Sequence, residues 1–289
     1  MDQWKKLKQL VTGLKTFQTN SKTNILQNTA LSIQVSLSGL SFCILNTNTQ
    51  SVVFFRSFPF EKKGNPNDLL DKLTHLFNTE STLKQSFKSV TVIHENELSA
   101  LVPKSLFNED HLADYLKFNS KILRSDFITY DEISANESVN VYVPYVNINN
   151  YLYDIFGEFE FKHFSTIVIE TILKLEKNTS ETKMYAHISN SHFEIIVTKN
   201  GQLQLYNTFD YTTKEDFIYY LLFTAEQLGL NPEEFPLVLL GNVTKEDELF
   251  KIAYTYIRNV SIIKNSTKIT LINGVNENCL SNLVLLNSF

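Results

Sequence analysis

The sequence predicts an α/β protein in which one strand-strand-strand-helix-strand unit is used twice. Two observations carry that prediction. Residues 31–38 alternate without a break, Leu31, Ile33, Val35 and Leu37 against Ser32, Gln34, Ser36 and Ser38, and Met184, Ala186 and Ile188 alternate in the same way with Tyr185, His187 and Ser189. A period of two is the mark of a half-buried strand. The elements that follow then recur in the same order and at one spacing. Positions 151 apart pair Phe42 with Phe193, Ile33 with Met184, Val35 with Ala186, Ile44 with Ile195, Phe54 with Leu205 and Phe58 with Phe209, with no gap across three strands. Alternating strands all look alike at period two, but a gapless match followed by a helix and a buried strand favours internal duplication over coincidence.

Each element has its own local reason. In the first unit a turn at Gly39 leads to a strand with Leu40, Phe42 and Ile44, and the polar stretch 46–50 turns the chain into a third strand over 52–58. Asn65-Pro66 opens a helix whose apolar side carries Leu69, Leu70, Leu73, Leu76 and Phe77, since proline suits the first helical position. Residues 90–93 form a short buried strand. In the second unit Phe193, Ile195 and Val197 lead to Asn200-Gly201, the strongest short hairpin signal. Thr212 with Glu215 reads as a capping box ahead of a helix with Phe217, Ile218, Leu221 and Ala225. A buried strand over 236–240 ends at Gly241, and Thr244 with Asp247 reads as a second capping box. A strand over 260–263 follows. Between the units, helices are expected near 108–118, 148–156 and 167–175, with strands over 127–130 and 139–143. Residues 4–17 place Trp4, Leu7, Val11 and Leu14 at helical spacing among lysines, a terminal helix packed on its own domain or, as an alternative, a homodimer contact. The domain organisation expected is an N-terminal helix and linker over 1–28, a first lobe over 29–157 and a second over 158–289.

Composition narrows the classes of function. The chain has 289 residues, 43% hydrophobic and 12% aromatic, enough for a substantial core. A net charge of −5 argues against a nucleic-acid partner, which calls for a basic stripe. No apolar run approaches the ~20 residues that cross a bilayer, and residues 2–18 lack the apolar core of a signal peptide, so a cytoplasmic protein without membrane contact is expected. Cys43 and Cys279 sit in apolar surroundings as buried thiols rather than a disulfide framework or a thiolate metal site. Glycine is scarce at 8 residues, although phosphate-cradling loops use it for close backbone approach.

A duplicated unit of this kind and size resembles the ribonuclease H-like, actin-like ATPase superfamily, which includes sugar kinases, heat-shock chaperone ATPases and pilus and secretion assembly proteins. More closely, the stretch from Leu31 to Phe42 and the later Ala186-His187-Ile188-Ser189 hairpin look like an uncharacterised bacterial family found mainly in Bacteroidetes. The resemblance implies a nucleotide cleft between the lobes. Active members carry Asp-x-Gly-x-Thr or Ser in the first hairpin, where the Asp helps hold hydrated metal. Here Ser36 stands at the Asp position and Ser38 at the Gly position, with Gly39 one residue late and Ser41 beyond. The second hairpin reads His187-Ile188-Ser189-Asn190-Ser191-His192 and has neither Asp nor Gly. The adenosine-facing turn keeps one glycine in Gly241-Asn242. Mg²⁺ at phosphoryl-transfer sites needs carboxylates beside the phosphates. The resemblance therefore implies a vestigial cleft at Ser36, Ser38, Gly39, Ser41, Ser189, Asn190, Ser191, Gly241 and Asn242, no catalytic residue, no metal, and no cofactor beyond weak ATP or ADP binding.

The expected role is a non-catalytic binding or scaffold protein for an unknown protein partner. The alternative is a protein that still binds nucleotide or a small phosphate compound, with weak ATPase or kinase activity. Other constellations are read more plainly. His187 and His192 flank a turn with Glu194 on the face of His192, but a metal reading needs a third ligand. Asp154, Glu158 and Glu160 read as a solvated face rather than an acid/base pair. The aromatic stretch from Tyr142 to Phe161 reads as core rather than partner surface.

Overall fold

The computed structural model describes residues 28–263, 270–271 and 282–289. The expected helix over 4–17 and Cys279 lie outside the described residues.

The first unit opens with β1 (Thr29–Ser36), β2 (Gly39–Asn46) and β3 (Ser51–Pro59), an antiparallel meander. Helix α1 (Pro66–Thr79) starts at Asn65, whose side chain accepts from Asn67 N and Asp68 N while the Asp68 side chain accepts from the cap N–H, a complete capping box. Next comes β4 (Ser89–Glu95), parallel to β1. Then β5 (Ser99–Pro103), α2 (Leu112–Leu116), β6 (Thr129–Ile133) and β7 (Ser138–Tyr142) make a small separate sheet in the order β5-β7-β6, with α2 packed on it. The helix expected over 108–118 is thus a single 3-10 turn at Glu109–His111 followed by a short α2. Helix α3 (Val146–Phe156) ends at Gly157, and β8 (Glu160–His163) adds to the far side of β4. The first sheet therefore runs past the expected boundary at 157.

Helix α4 (Phe164–Glu176) is buried on nearly all sides between the sheets, in keeping with its continuous apolar run. The second unit repeats the plan: β9 (Lys183–Ile188), β10 (His192–Lys199), β11 (Gln202–Asp210), α5 (Lys214–Gln227), β12 (Pro236–Gly241), α6 (Glu248–Tyr256) and β13 (Asn259–Ile262). Sheet order is β3-β2-β1-β4-β8 in the first lobe and β11-β10-β9-β12-β13 in the second, the same arrangement twice. The chain then returns to the first lobe: β14 (Thr270–Leu271) pairs with β3, and the four residues of α7 (Leu283–Leu286) are all buried in the cluster shared by Cys43, Ile93, Ile196, Leu240 and α4. That cluster joins the lobes. Separate cores lie outside it, one under α1 and α3 and one under α5 and α6.

The register refines the internal match. Val35–Leu40 in one hairpin and Ile188–Phe193 in the other are corresponding pairs, and each partner is 153 positions from its counterpart. A β-bulge falls at Ile44/Leu45 and again at Val197/Thr198, the same 153 apart. In the third strand the spacing is 151, since Leu40 pairs with Phe58 and Phe193 with Phe209. The reason is the second turn, which spans 47–50 in the first lobe and only Asn200-Gly201 in the second. The uniform spacing of 151 is thus correct for β3 and two residues short for β1 and β2. A two-residue slip is one full pleat repeat, so every side chain keeps its face.

Two helix starts also differ from expectation. The capping box of α5 is Thr213 with Asp216, one residue later than Thr212 with Glu215. Asp247 is the N-cap of α6 without a side-chain cap bond, and its Oδ2 instead accepts from Thr244 N at 2.6 Å. The aromatic stretch is core except at Tyr153, which is exposed: Tyr142 and Tyr145 are buried, and Tyr151, Phe156, Phe159 and Phe161 pack on the first-lobe core. Asp154, Glu158 and Glu160 are exposed.

Candidate functional site: the cleft between the two hairpins

The C-terminal ends of β1 and β9 point at one another, so the turns that follow face each other across a cleft of about 360 Å³. The first lobe contributes Ser36, Ser38, Gly39 and Ser41, and the second Ser189, Asn190, Gly241 and Asn242. Ser191 faces a smaller recess behind it. Eight of the nine residues expected from sequence thus line one space, and Ser191 does not.

Their hydrogen bonds describe what the loops do. Ser36 Oγ accepts from Ser38 N at 3.2 Å and donates to Gly39 O at 3.2 Å, so this hydroxyl closes its own turn. Ser41 Oγ bonds Ser57 Oγ at 2.9 Å. A Cβ on Gly39 would lie 3.1 Å from Phe58 O, so the glycine serves the packing of β2 on β3. Asn242 N donates to Ile188 O at 2.8 Å, and Asn242 Nδ2 donates to Asn190 Oδ1 at 3.1 Å, tying the two second-lobe loops together.

One expectation is corrected here. The turns themselves lack a carboxylate, but β4 delivers Glu95 to the cleft wall beside Ser36, its register partner. Sequence reasoning missed it, although a signal existed. Leu31–Val90 and Met184–Leu237 are corresponding parallel pairs, which makes Glu95 the counterpart of Asn242. The residue just past the buried strand therefore faces the cleft in both units, not in the second alone. The cleft wall also includes Gln34, Phe55, Ser57 and Asn282, which are distant in sequence.

Glu95 does not stand alone. His192 Nε2 lies 3.2 Å from Glu95 Oε1 and 3.2 Å from Glu194 Oε1, and His187 Nδ1 donates to Glu194 Oε2 at 2.9 Å. Gln34 Nε2 donates to Glu95 Oε2 at 2.8 Å, and Ser189 Oγ is 3.4 Å from Glu95 Oε1. One imidazole thus bridges a carboxylate of each lobe. Burial opposes charge on His192, but its hydrogen bonds to Glu194 and Glu95 and their negative charge outweigh it and raise the group to about 10. Burial likewise acts to raise Glu194, yet bonds from His187 and His192 hold it down at about 2. Glu95 is lowered in the same way, with His192 overcoming the effect of burial. The bridge is therefore ionised, with a cation of the protein between two carboxylates. Glu194, which the sequence places on the strand face of His192, thus engages both histidines, and Glu95 joins it from the first lobe. Among the described residues no three His, Cys, Asp or Glu side chains are placed to hold a metal ion.

The bridge sets a pH dependence. The stability from His192 is complete below its unfolded value of about 6.5 and is lost as pH rises through about 10. That from Glu194 is complete above about 4.5 and is lost as pH falls through about 2. Both act fully between about 4.5 and 6.5. Urea unfolding midpoints are expected to fall on the alkaline side of that window, and His192→Gln is expected to flatten the fall; an alkaline limb of equal slope in the variant would contradict the assignment.

The other buried histidines are satisfied structurally. His94 Nε2 meets Asn149 Oδ1 at 2.9 Å, and His163 meets Ser165 Oγ at 2.7 Å and Asn96 O at 3.2 Å. Burial pushes His94 down to about 3 and His163 to about 4, which leaves both neutral.

Two sheets of one strand order, facing each other across a cleft at their matching hairpins, define the actin-like ATPase fold. A Bacteroides thetaiotaomicron protein with actin-like ATPase fold and unknown function is similar over 89% of this chain and 96% of its own, at 24% identity and a TM-score of 0.74. A chain of a PilM-PilN type IV pilus biogenesis complex is similar over 90% of this chain and 97% of its own, at 12% identity and a TM-score of 0.59. No curated protein matches. The family model described as a protein of unknown function, DUF3822, matches residues 18–260, and the chain belongs to that family.

Proposed function

We propose that this protein is a non-catalytic member of the actin-like fold that works by binding, as a scaffold or adaptor for a protein partner. The supporting observation is the state of Glu95. It is the one carboxylate among the described residues of the cleft wall, and it is already paired with the imidazolium of His192. Mg²⁺ recruitment relies on carboxylates with free charge facing the phosphates. The hydroxyl at Ser36, where active relatives of this fold carry Asp, is spent on its own turn. The PilM-PilN complex offers a precedent for a protein of this fold that assembles with a partner. A bacterial cytoplasmic setting fits Cys43, a thiol buried in the core. The repeated sheet order, with its bulges in corresponding places, supports an origin by duplication.

The test is Mg²⁺-dependent ATP hydrolysis by the purified full chain. Turnover is expected to be indistinguishable from the buffer blank. A rate of about 1 s⁻¹ or more, within the ordinary enzymatic range, would overturn the proposal if Ser36→Ala or Ser189→Ala abolished it.

A further inference from the structure

The cleft has the dimensions of a small-molecule site, since about 360 Å³ falls within the ~300–1,000 Å³ typical of such sites. Its charged side chains are engaged inside the protein. Glu95 is only 9% exposed and paired with His192, and His187, also on the wall, is paired with Glu194. Among the described residues no Lys or Arg lines it. Among the described wall residues a phosphate or carboxylate ligand would shed its water with no Lys or Arg to receive it, which is unfavourable. A cationic ligand would find the one carboxylate already engaged.

What the wall does offer is hydroxyl and amide groups. Ser38, Ser41 and Ser57 come from the first lobe, Asn190 and Asn242 from the second, and Asn282 from the returning C-terminal segment. Ser41 bonds Ser57 and Asn242 bonds Asn190, but each pair keeps spare capacity, since a serine hydroxyl has one donor and two acceptor sites and an Asn side chain two donors and two acceptor sites. Phe55 and Pro59 add apolar surface to the same wall. Mixed donors and acceptors beside a small apolar area, with the charged groups already paired, complement an uncharged polar molecule. We infer that the cleft binds an uncharged polyhydroxylated small molecule, of the size of a monosaccharide or disaccharide. The inference rests on the reading that this cleft does no magnesium–nucleotide chemistry, and it makes the binding role specific. The two lobes close on the ligand from opposite sides, so the site exists only when both hairpins are in place.

The experiment is a thermal-shift series on the full chain with glucose, N-acetylglucosamine, maltose and myo-inositol at millimolar concentration, with Mg²⁺-ATP in parallel. A ligand held by the native state raises its midpoint. At least one of the uncharged probes is expected to raise it by about 3 °C or more, and saturation-transfer NMR on that probe should report contact. The Asn242→Ala and Ser41→Ala variants, checked as folded by circular dichroism, should lose the rise. If no uncharged probe shifts the wild type, or if the shift persists in both variants, the inference is overturned. A shift by Mg²⁺-ATP alone would overturn the inference and turn the functional reading toward nucleotide. A silent series across all probes overturns the inference and leaves that reading standing.

Discussion

Replacing His192 with alanine is expected to lower the folding stability by about 3–5 kcal/mol, the cost of breaking a buried pair by removing one partner. The magnitude follows from what is left behind. Glu95 and Glu194 are 9% and 2% exposed, and both face the single imidazole. Without it, two carboxylates confront each other across a buried space with Gln34, Ser189 and His187 as their remaining partners. The protein would have to keep a carboxyl protonated near neutrality or admit water between the lobes. A double variant separates the bridge from simple packing loss. In His192→Ala with Glu95→Gln, one of the stranded charges is gone, so part of the loss should return, with a coupling of about 1–3 kcal/mol. Urea unfolding at pH 7 measures both. A loss under about 1 kcal/mol for His192→Ala would place the bridge among weak surface pairs and refute its assignment as a tie between the lobes.

That bridge is also where the sequence was least legible. The strands of both units could be read directly, because the face of each sheet under its helices is purely apolar, which sets a period of two on residues 31–36 and 184–188, although Ser32, Ser36, Tyr185 and His187 on the other face are buried as well. The helix over 66–79 was equally plain, since Asn65, Pro66 and Asp68 carry its start locally. Features decided by three-dimensional register were hidden. The two-residue slip of β1 and β2 leaves the hydrophobic pattern untouched, so only the hydrogen-bond pairing reveals it. The slip has a chemical consequence. At the corrected spacing Gly39 corresponds to His192 and Ser41 to Glu194, so the second hairpin carries its charged bridge at positions where the first carries a glycine and a serine. Glu95 reaches the cleft through the parallel pairing of β4 with β1, a contact between residues about sixty positions apart that no local pattern encodes. The small sheet of β5, β6 and β7 was legible only as scattered elements, because its strands are five residues each and too short for periodicity to set their ends.

Gly241 carries the other large expected effect, and comparison with a second glycine isolates its cause. Both Gly241 and Gly229 adopt left-handed backbone, with φ of +89° and +65°. Alanine at such a position costs about 1–2 kcal/mol from conformation alone. A Cβ added at Gly229 would meet nothing within 4 Å, so Gly229→Ala should show only that cost. At Gly241 the same carbon would collide with Ile188 O, lie 3.0 Å from Ile188 N and 3.2 Å from His187 Nε2. The obstruction is backbone of β9, which is fixed on both sides by β10 and β12. It cannot yield without moving the turn that holds Ser189 and the ring that donates to Glu194. Gly241→Ala is therefore expected to cost about 3 kcal/mol or more, beyond the range of conformational strain alone. Because the displaced atoms belong to the cleft floor, the same variant should also lose the midpoint rise with the uncharged probes, while Gly229→Ala keeps it. Equal losses of stability in the two variants would mean that β9 relaxes freely there, and that the close approach of the two second-lobe loops is not what shapes the cleft.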